Sequence, residues 1–457
     1  MGGRTSRRHR CLRRARRNAE AWRDHSSHRH RHQRVLSAPD DRRCSGRSHR
    51  RRSRRFDEST AMTDVSLARF TPLDPAFRAD PYPFYDALRE HDPVHRAGDA
   101  IILTRYEDVA YTLRSNDFSR DIEANGNEPT DPLAKAKRDR RRSRNSSKTI
   151  LNLDPPDHTR LRRLVSKAFT PSSIERLRPR VQQLVDDVLD RAAARGGIEL
   201  VDELAFPIPF QVISDLLDMP TDRADELREW SQVITFALEP ASTMDDLKLV
   251  DDAFAQLIPY LFEIIEKRRS APGDDLLSAL IAVEDDGDTL DAAELISFVV
   301  LLYIAGHETT VNLIGNSVNA LLHHPDQLAL WHAEPTIGAR AVDELLRYDG
   351  PVQQTVRVPM VPVQYLGSDG PITVEPGTVV TTVLGAGNHD PAMFDDPNRL
   401  RLDRPNAGRH LAFAAGIHYC LGSNLAKLEA EVAVGSLVAR FPKMRACGAI
   451  TWRDRLT

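Results

Sequence analysis

The feature that most constrains the fold of this chain is a long helical pattern that begins at Asp291. Asp291 and Glu294 match a capping box, in which each side chain satisfies a backbone N–H at the start of a helix. The pattern continues to His323, before the next proline, and predicts a helix about 50 Å long at about 1.5 Å per residue. Nearly every side chain of Leu295–Ala305 is apolar, which predicts a buried helix. A buried helix of that length spans a whole domain, so the remaining elements must pack around it.

Polar residues interrupt the middle of this helix, in the run Ala305-Gly-His-Glu-Thr-Thr310. Gly306 has no side chain and should leave room for a ligand, while the Thr309 hydroxyl can bond the carbonyl four residues earlier and loosen that turn. A carboxylate such as Glu308 is costly to bury unless it has a role. The run therefore predicts a functional site, and the alternative is a polar kink filled by water.

A second informative stretch lies near the C-terminal end, Phe413-Ala-Ala-Gly-Ile-His-Tyr-Cys-Leu-Gly422, and a helical pattern follows it from Ser423. A cysteine just before a helix has its sulfur near unpaired backbone N–H groups and the positive end of the helix dipole, which both favour the thiolate. Glycines flank Cys420 where the backbone must turn sharply. Cys420 is therefore a candidate metal ligand, although a small buried residue would also fit this position.

This stretch resembles the heme-binding signature of the cytochrome P-450 family, Phe-Gly-x-Gly-x-His-x-Cys-x-Gly, in which the cysteine is the axial ligand of the heme iron. Three further motifs match the family in the right order: Pro155-Pro-Asp-His-Thr-Arg-Leu-Arg162, Ala305-Gly-x-Glu-Thr309 and Glu344-x-x-Arg347. Ala414 departs from the signature, since the family usually has glycine there, and its β-carbon is expected to tighten or distort the loop.

The resemblance covers Met62 to about Thr457 and implies a fold that is mainly α with small β-sheets. In that fold the long central helix lies over the heme, and the cysteine loop lies on the opposite face. The family usually continues with a final strand beside the pocket, and this chain is expected to lack it.

The resemblance also implies roles for individual residues. The side chains expected to pair with the two heme propionates, beside Cys420 as the iron ligand, are His158, Arg162, Arg357 and His418. Glu308 and Thr309 are expected to relay protons for oxygen activation, and Ala305 to line the substrate pocket. A structural triad is expected from Glu344, Arg347 and Arg404.

A member of this family would be a heme-thiolate monooxygenase that uses heme b, O2 and two electrons to hydroxylate or epoxidise a lipophilic small molecule. The sequence has neither a flavin-binding glycine fingerprint nor a ferredoxin cysteine cluster. The electrons are therefore expected from a separate ferredoxin and ferredoxin reductase, supplied by NAD(P)H. Basic residues expected to favour an acidic donor are Arg160, Arg163, Lys167 and Lys427. A polyketide, a terpenoid or a steroid-like molecule would suit as substrate, and a peroxide-driven peroxygenase is the neighbouring alternative.

Charge divides the chain into two parts. Residues 1–61 contain 20 arginines against 6 acidic residues and almost no aliphatic clusters, so they are expected to be disordered. Residues 62–457 are expected to be one catalytic domain, with Met62 as the expected start of translation. A transit peptide would also explain the basic segment. An arm that binds nucleic acid, with a heme domain as sensor, is the alternative from another class; against it, the rest of the chain is net acidic and has no binding motif.

Cysteine use and hydropathy indicate a cytoplasmic protein without a membrane anchor, and the protein is expected to be a monomer. The four cysteines include no C-x-x-C pair, which argues against a disulfide scaffold or a structural zinc site and fits a reducing compartment. No apolar run reaches the roughly 20 residues that a membrane span needs.

Smaller elements are predicted around these motifs. Strands are expected at residues 94–96, 100–104, 352–358 and 373–383. The segment from Ser115 to Asn152 shows no regular pattern and contains the basic run Lys135–Arg144. We expect a solvated loop there, which by resemblance is the mobile lid of the substrate pocket; a docking patch is the alternative.

Overall fold

The computed structural model of the protein describes residues 34–36, 65–143, 148–238, 242–285 and 287–448. Its organising element is the helix Ala292–His323, which has the bounds that the sequence predicts. Asp291 accepts a hydrogen bond from the backbone N–H of Glu294 at 2.8 Å, and Glu294 accepts one from the backbone N–H of Asp291 at 3.1 Å. This reciprocal pair is the predicted capping box, and it fixes where the helix starts.

Shorter helices surround this long helix, and several have a proline in the first turn, where a backbone N–H would have no helical partner. The other α-helices of the described residues are Pro75–Ala79, Tyr82–His91, Tyr106–Arg114, Ile122–Asn125, Pro132–Ser143, Asp157–Ala168, Pro171–Glu175, Arg178–Arg195, Pro207–Leu216, Ala224–Ile234, Met244–Ser270, Leu276–Ala282, Pro325–Ala333, Gly338–Asp349, Leu384–Asn388 and Ser423–Arg440. A π-helical turn spans Leu200–Ala205. Short 3-10 turns lie at Val65–Leu67, Ile150–Asn152, Thr221–Arg223, Thr235–Leu238, Pro335–Ile337, Ala407–Arg409 and Gly416–His418.

The strands are short and form small sheets, as the sequence predicts for this fold class. In chain order they are β1 (Arg34–Leu36), β2 (Val94–Ala97), β3 (Ala100–Leu103), β4 (Phe118–Ser119), β5 (Ile198–Glu199), β6 (Glu284–Asp285), β7 (Asp288–Thr289), β8 (Gln354–Pro359), β9 (Val363–Gly367), β10 (Gly370–Val374), β11 (Val379–Val383) and β12 (Arg445–Cys447). The largest sheet has the order β2-β3-β11-β8-β4, in which only the β3–β11 pair is parallel. The pairs β6–β7 and β9–β10 are antiparallel hairpins.

One strand lies inside the segment for which the sequence predicts disorder. Strand β1, Arg34–Leu36, pairs antiparallel with β12 on one side and with β5 on the other. Backbone pairing needs no apolar side chain, which is why the composition of residues 1–61 does not reveal it. The rest of that segment lies outside the described residues, and its predicted disorder stays a prediction.

The largest hydrophobic cluster is built on the long helix. Val299 and Ile314 of this helix are fully buried against side chains of the helices Pro207–Leu216, Gly338–Asp349 and Ser423–Arg440. Full burial of one such side chain contributes about 1.5–3 kcal/mol. The long helix is therefore the centre of the core.

A second cluster lies between the five-stranded sheet and the region around Cys420. It joins Val380 of β11 to Phe394, Leu411 and Ala415, all of which are buried. The stretch that contains the cysteine is thus packed on both clusters, since Cys420 itself contacts the first one. This packing fixes the position of the sulfur relative to the long helix.

The segment from Ser115 to Asn152 contains more regular structure than the sequence predicts. The basic run forms most of the helix Pro132–Ser143. Arg138 is only 3 % exposed and donates to the carbonyls of Glu123 (3.0 Å), Gly126 (2.8 Å) and Asn127. The expected loop is therefore a helix here, and the expectation of solvation is wrong for Arg138, whose buried guanidinium is satisfied by backbone carbonyls; most other described residues of this helix are exposed or half-buried.

The described residues include one helix that is long and apolar enough to cross a membrane, Ala292–His323. More than half of its most apolar window is buried inside the protein. The same composition is expected of a helix at the centre of a protein core.

Candidate active site

The cysteine loop, residues 413–422, is closed by its own backbone. The N–H of Cys420 donates to the carbonyl oxygen of Phe413 at 3.0 Å. Gly416 has φ +73°, and a β-carbon there would collide with the carbonyl oxygen of Leu113. Glycine is therefore required at this position, both for its backbone conformation and for the close approach of the neighbouring helix.

Ala414 also adopts the left-handed backbone conformation, with φ +58°. For a residue with a β-carbon this conformation costs roughly 1–2 kcal/mol. The N–H of Ala414 donates to the carbonyl of Leu411 at 2.8 Å, and its methyl group packs against the second hydrophobic cluster. The distortion that the sequence predicts here takes the form of a strained backbone at this one residue.

Two opposing effects act on the sulfur of Cys420. Burial raises the pKa of the thiol above its usual value, while the N–H groups of Gly422 and Ser423 and the charge of Arg162 act to lower it. The N–H groups at the helix start therefore do favour the thiolate, as the sequence predicts, but burial is the larger effect and the pKa of the thiol ends above its usual value. A bound metal ion would reverse the balance, because coordination deprotonates a thiol outright.

Five basic side chains gather beside the cysteine loop. The imidazole rings of His158 and His418 lie 4.2 Å apart between centroids. Arg162 donates to the carbonyl of Tyr419 at 2.7 Å, and Arg357 donates to the carbonyl of Val356 at 2.8 Å. We call these four residues, together with Arg120, the basic cluster. The sequence predicts all of them except Arg120 as partners of two carboxylate groups.

The electrostatics of the basic cluster show an excess of positive charge. Burial and the charge of Arg120 lower the pKa of Arg357 to about 9. Burial, with the neighbouring basic groups, lowers the pKa of His418 to about 3, and burial lowers that of His158 as well. Within the described parts of the chain, none of the three arginines forms an ion pair, and Nδ1 of His158 is buried without a hydrogen-bond partner. Such a cluster is suited to an anion with two carboxylates.

Sequence reasoning missed Arg120. The residue follows the two-residue strand Phe118–Ser119, whose pairing with β8 brings it beside Arg357. A strand of that length has no periodicity to recognise, and an arginine in a segment of many charges carries no signal. A structure is needed to find it.

The predicted acid and alcohol lie in the middle of the long helix. Thr309 donates to the carbonyl of Ala305 at 2.8 Å, as the sequence predicts. Thr309 and Ala305 are half-buried on one face with Leu301, while most of this helix is buried. Glu308 is buried, with an oxygen 4.0 Å from Nε2 of the buried His307. The half-buried face is where a ligand can meet the helix.

Gly306 does not leave room for a ligand. A β-carbon there would lie 3.0 Å from Cδ1 of Ile213 on the helix Pro207–Leu216. The missing side chain instead lets the two helices approach closely. The expectation of a ligand space at this glycine is wrong, because the neighbouring helix fills it.

The predicted triad is fully formed and buried. Arg347 donates to both carboxylate oxygens of Glu344, at 2.7 and 2.8 Å, and Nε of Arg404 lies 3.0 and 3.1 Å from the same oxygens. Both arginines also donate to the carbonyl of Arg399. The triad thus holds the loop that approaches the cysteine. Two buried guanidinium groups share the one carboxylate of Glu344, so losing that carboxylate would be costly.

Two of the residues predicted for a basic docking surface are paired with acids. Arg160 forms ion pairs with Asp288 and Glu294, and Lys427 lies 2.6 Å from Asp343. These two cations hold the protein together and do not present free charge. Arg163 and Lys167 are exposed on the helix Asp157–Ala168.

Comparison with known proteins identifies the architecture. The family model described as cytochrome P-450 matches residues 104–335 and 337–443, most of the chain. Cytochrome P-450 107B1 of Saccharopolyspora erythraea is 42 % identical over 401 residues, which cover 86 % of this chain and 96 % of that protein. The cytochrome P-450 monooxygenase PikC of Streptomyces venezuelae is 41 % identical over 377 residues, covering 80 % and 85 %.

A solved structure agrees with these relatives. The cytochrome P-450 PksS of the Bacillus subtilis 168 bacillaene polyketide synthase superposes with a TM-score of 0.76. It is 33 % identical in sequence, and the match covers 85 % of this chain and 96 % of that one.

Proposed function

The chain belongs to the cytochrome P-450 family of monooxygenases, and we propose that Cys420 is its axial heme ligand and that it oxidises a lipophilic small molecule with O2. The observation that carries this proposal is the position of a half-buried cysteine beside the basic cluster, which has no ion-pair partner in the described residues. Membership of the family implies heme and O2.

The residues present fit heme. Its two propionates would satisfy Arg162, Arg357 and the unpartnered Nδ1 of His158, and charge-assisted bonds of this kind are the strong ones. His418 lies against His158 and completes the edge of the site. When bound, heme supplies an iron that binds and activates oxygen, with thiolate ligation favouring cleavage of the O–O bond.

The protein's own residues would hold and move protons on the opposite side. Thr309 keeps a hydroxyl on the half-buried helix face, fixed by its bond to the carbonyl of Ala305. Glu308 lies one residue earlier and can exchange a proton with water that reaches this face. A hydroxyl held in a fixed position can donate a hydrogen bond without reorganisation at the moment of reaction. A monooxygenase that uses O2 needs proton donors of this kind, whereas a peroxygenase that takes hydrogen peroxide directly would not need them.

The same face supports a lipophilic substrate. Leu301, Leu302 and Ala305 are half-buried there, so an apolar molecule that covers them would remove apolar surface from water, which is favourable. A polyketide is the first class to test, since PksS is a cytochrome P-450 of a polyketide synthase. Terpenoid and steroid-like molecules have the same apolar character and are the next classes.

Electrons would come from a ferredoxin and its reductase, which uses NAD(P)H. The donor would dock on the cysteine side, where Ile417 and Tyr419 are 45 % and 42 % exposed. Arg163 and Lys167, exposed on the helix whose Arg162 donates to the carbonyl of Tyr419, would add positive charge on this side. A ferredoxin system of this kind is cytoplasmic, and the enzyme is proposed to act there as a monomer.

The carbon monoxide spectrum of the reduced protein tests the proposal. The wild type should show the band of thiolate-ligated heme, and Cys420→Ser should lose it, because a serine hydroxyl of much higher pKa cannot donate charge in the same way. Cys447→Ser is the matched control and should keep the band. If Cys420→Ser kept it, the axial assignment would be wrong. Titration of candidate substrates, followed by the spin-state shift of the heme band, then identifies the substrate class.

A further inference from the structure

The structure assigns one residue that no motif predicts: we propose that Arg120 supplies a third guanidinium to the carboxylates of the bound heme. The inference rests on the proposed function, because it concerns how the same cofactor is held. It adds a positioning residue from a different element of the fold.

The backbone of Arg120 is anchored to both elements that carry the predicted propionate ligands. Its N–H donates to Oδ1 of Asp154 at 2.8 Å, and the hydroxyl of Ser119 binds Oδ2 of the same carboxylate. The carbonyl of Asp154 accepts the N–H of His158 at 2.9 Å. On the other side, Ser119 pairs in register with Val358, the residue after Arg357. Arg120 is therefore held between the helix of His158 and the strand of Arg357.

The carboxylate of Asp154 is already used by these two contacts, and the guanidinium of Arg120 forms no ion pair in the described regions of the chain. Its charge is opposed by that of Arg357, which lies close enough to have its own pKa lowered. Burial also lowers the pKa of Arg120, to about 10, so both groups still carry charge at neutral pH. The carboxylate of Asp154 attracts both guanidinium groups and offsets part of this repulsion. One carboxylate cannot balance two guanidinium groups, so the pair still favours a further anion.

The charge of heme matches this excess. The three guanidinium groups of Arg120, Arg162 and Arg357 are balanced by the carboxylate of Asp154 together with the two propionates. Without Arg120 the site would hold one negative charge too many. The balance supports a role toward the cofactor.

A purely structural arginine in this fold looks different. Arg138 is buried, and three backbone carbonyls accept hydrogen bonds from its guanidinium group. No hydrogen bond from the guanidinium of Arg120 is found among the described residues. The comparison separates an arginine that binds its own protein from one that is positioned for a ligand.

The rate of heme loss tests the proposal in the full-length holoenzyme. Heme transfer to an excess of apomyoglobin, followed in the Soret band, should be about tenfold faster for Arg120→Gln, since one charge-assisted hydrogen bond is lost. Arg120→Lys should fall between this variant and the wild type, because it keeps the charge and loses the planar fork. Arg96→Gln, at an exposed position of strand β2, is the matched control and should match the wild type.

A second readout excludes a general loss of stability. Removing a positive charge beside the heme should shift its reduction potential to a more negative value in Arg120→Gln, whereas Arg120→Lys should keep the wild-type potential. If both variants match the control in rate and in potential, the proposal is overturned. Should Arg120→Gln fail to fold, Arg120→Lys decides alone: faster heme loss at unchanged potential supports the role, and wild-type heme loss contradicts it. A wild type without thiolate-ligated heme would instead defeat the proposed function.

Discussion

At the scale of single residues, the site contains one alanine in a conformation that glycine adopts without strain. Ala414 has φ +58°, so Ala414→Gly should raise the free energy of unfolding by about 1 kcal/mol through relief of this strain. Ala415 is the matched control, because it is extended at φ −155° and buried, and Ala415→Gly should be destabilising. Thermal denaturation of the two variants measures the difference. Equal losses of stability would show that Ala414 carries no strain.

Thr309 and Thr310 form a natural pair for testing the proton route. Thr309→Ala should bind heme normally and release much of its reducing power as hydrogen peroxide, with productive turnover slower by about 100-fold for the loss of one placed donor. Thr309→Ser keeps the hydroxyl and should restore coupling. Thr310→Ala removes the same kind of bond, to the carbonyl of Gly306 at 3.1 Å, on the buried side of the helix, and should stay coupled. Product formed per nicotinamide consumed, with peroxide assayed in parallel, distinguishes these outcomes.

Glu429 makes stability depend on pH. It is buried beside Thr310, whose hydroxyl acts to lower the pKa of the carboxyl, but burial is the larger effect and raises that pKa to about 8. Between about pH 4.5 and pH 8 the folded protein keeps this proton and the unfolded chain does not, so stability must fall as the pH rises. Glu429→Gln removes that dependence. The free energy of unfolding of the variant relative to the wild type should therefore increase from pH 5 to pH 8, by a few kcal/mol at most, on the order expected for a pKa difference of this kind. Melting temperatures measured across this pH range follow the change. Glu431→Gln, which removes a carboxylate paired with Arg178 from the same helix, is the control.

At the scale of elements, the helix Pro132–Ser143 is held to the rest of the protein largely through charged contacts. Arg140 donates to the carbonyl of Leu247 at 2.8 Å and pairs with Asp251, both on the helix Met244–Ser270. Ion pairs with exposed partners are screened by salt, so this attachment should loosen as ionic strength rises. A segment fastened in this way is suited to act as the mobile lid that the sequence predicts.

Limited trypsin digestion tests this attachment. Asp251→Asn keeps every cleavage site and should be cut several-fold faster within residues 135–143, and added salt should bring the wild type toward the variant. Asp245→Asn is the matched control, since Asp245 forms its ion pair with Lys248 of the same helix. A digestion rate that is the same in both variants would mean that packing, and not charge, holds this helix.

What the sequence could predict at this scale follows from the range of the interactions. The bounds of the helix Ala292–His323 depend on a local capping box and periodicity, and they were predicted correctly. The sequence suggests room for a ligand at Gly306, because the side chain that fills this space, Ile213, is distant in sequence. Arg160 was assigned to a docking surface because its partners Asp288 and Glu294 are more than 120 residues away. Local signals survive in a single sequence, and long-range pairings do not.

At the scale of the whole molecule, motif order fixed the architecture before any contact was known. Four separated motifs in the right order predict the family, and the family model and the relatives confirm it. That Cys420 and the helix of Thr309 lie on opposite sides of the heme stays a prediction. The balance of charge in the site could not be foreseen, because Arg120 joins it only through the pairing of β4 with β8. Folding therefore contributed the residue that completes the electrostatics.

The role of residues 1–61 is tested by starting translation at Met62. Of these residues, the structure describes the strand Arg34–Leu36, which pairs over three residues with β12 and over two with β5. Neither partner strand carries a predicted site residue. Each net hydrogen bond is worth about 0.5–1.5 kcal/mol. Starting at Met62 should therefore leave the heme content unchanged and lower the melting temperature by a few degrees at most.

A full-length Val35→Pro variant separates the strand from the rest of the segment. Proline removes a ladder hydrogen bond at the residue that pairs with Ala446 and Ile198, so it should reproduce whatever loss the shorter protein shows. If the shorter protein is less stable and Val35→Pro is not, another part of residues 1–61 contributes. A protein that fails to fold or to retain heme without these residues would contradict the prediction that residues 62–457 form the complete catalytic domain.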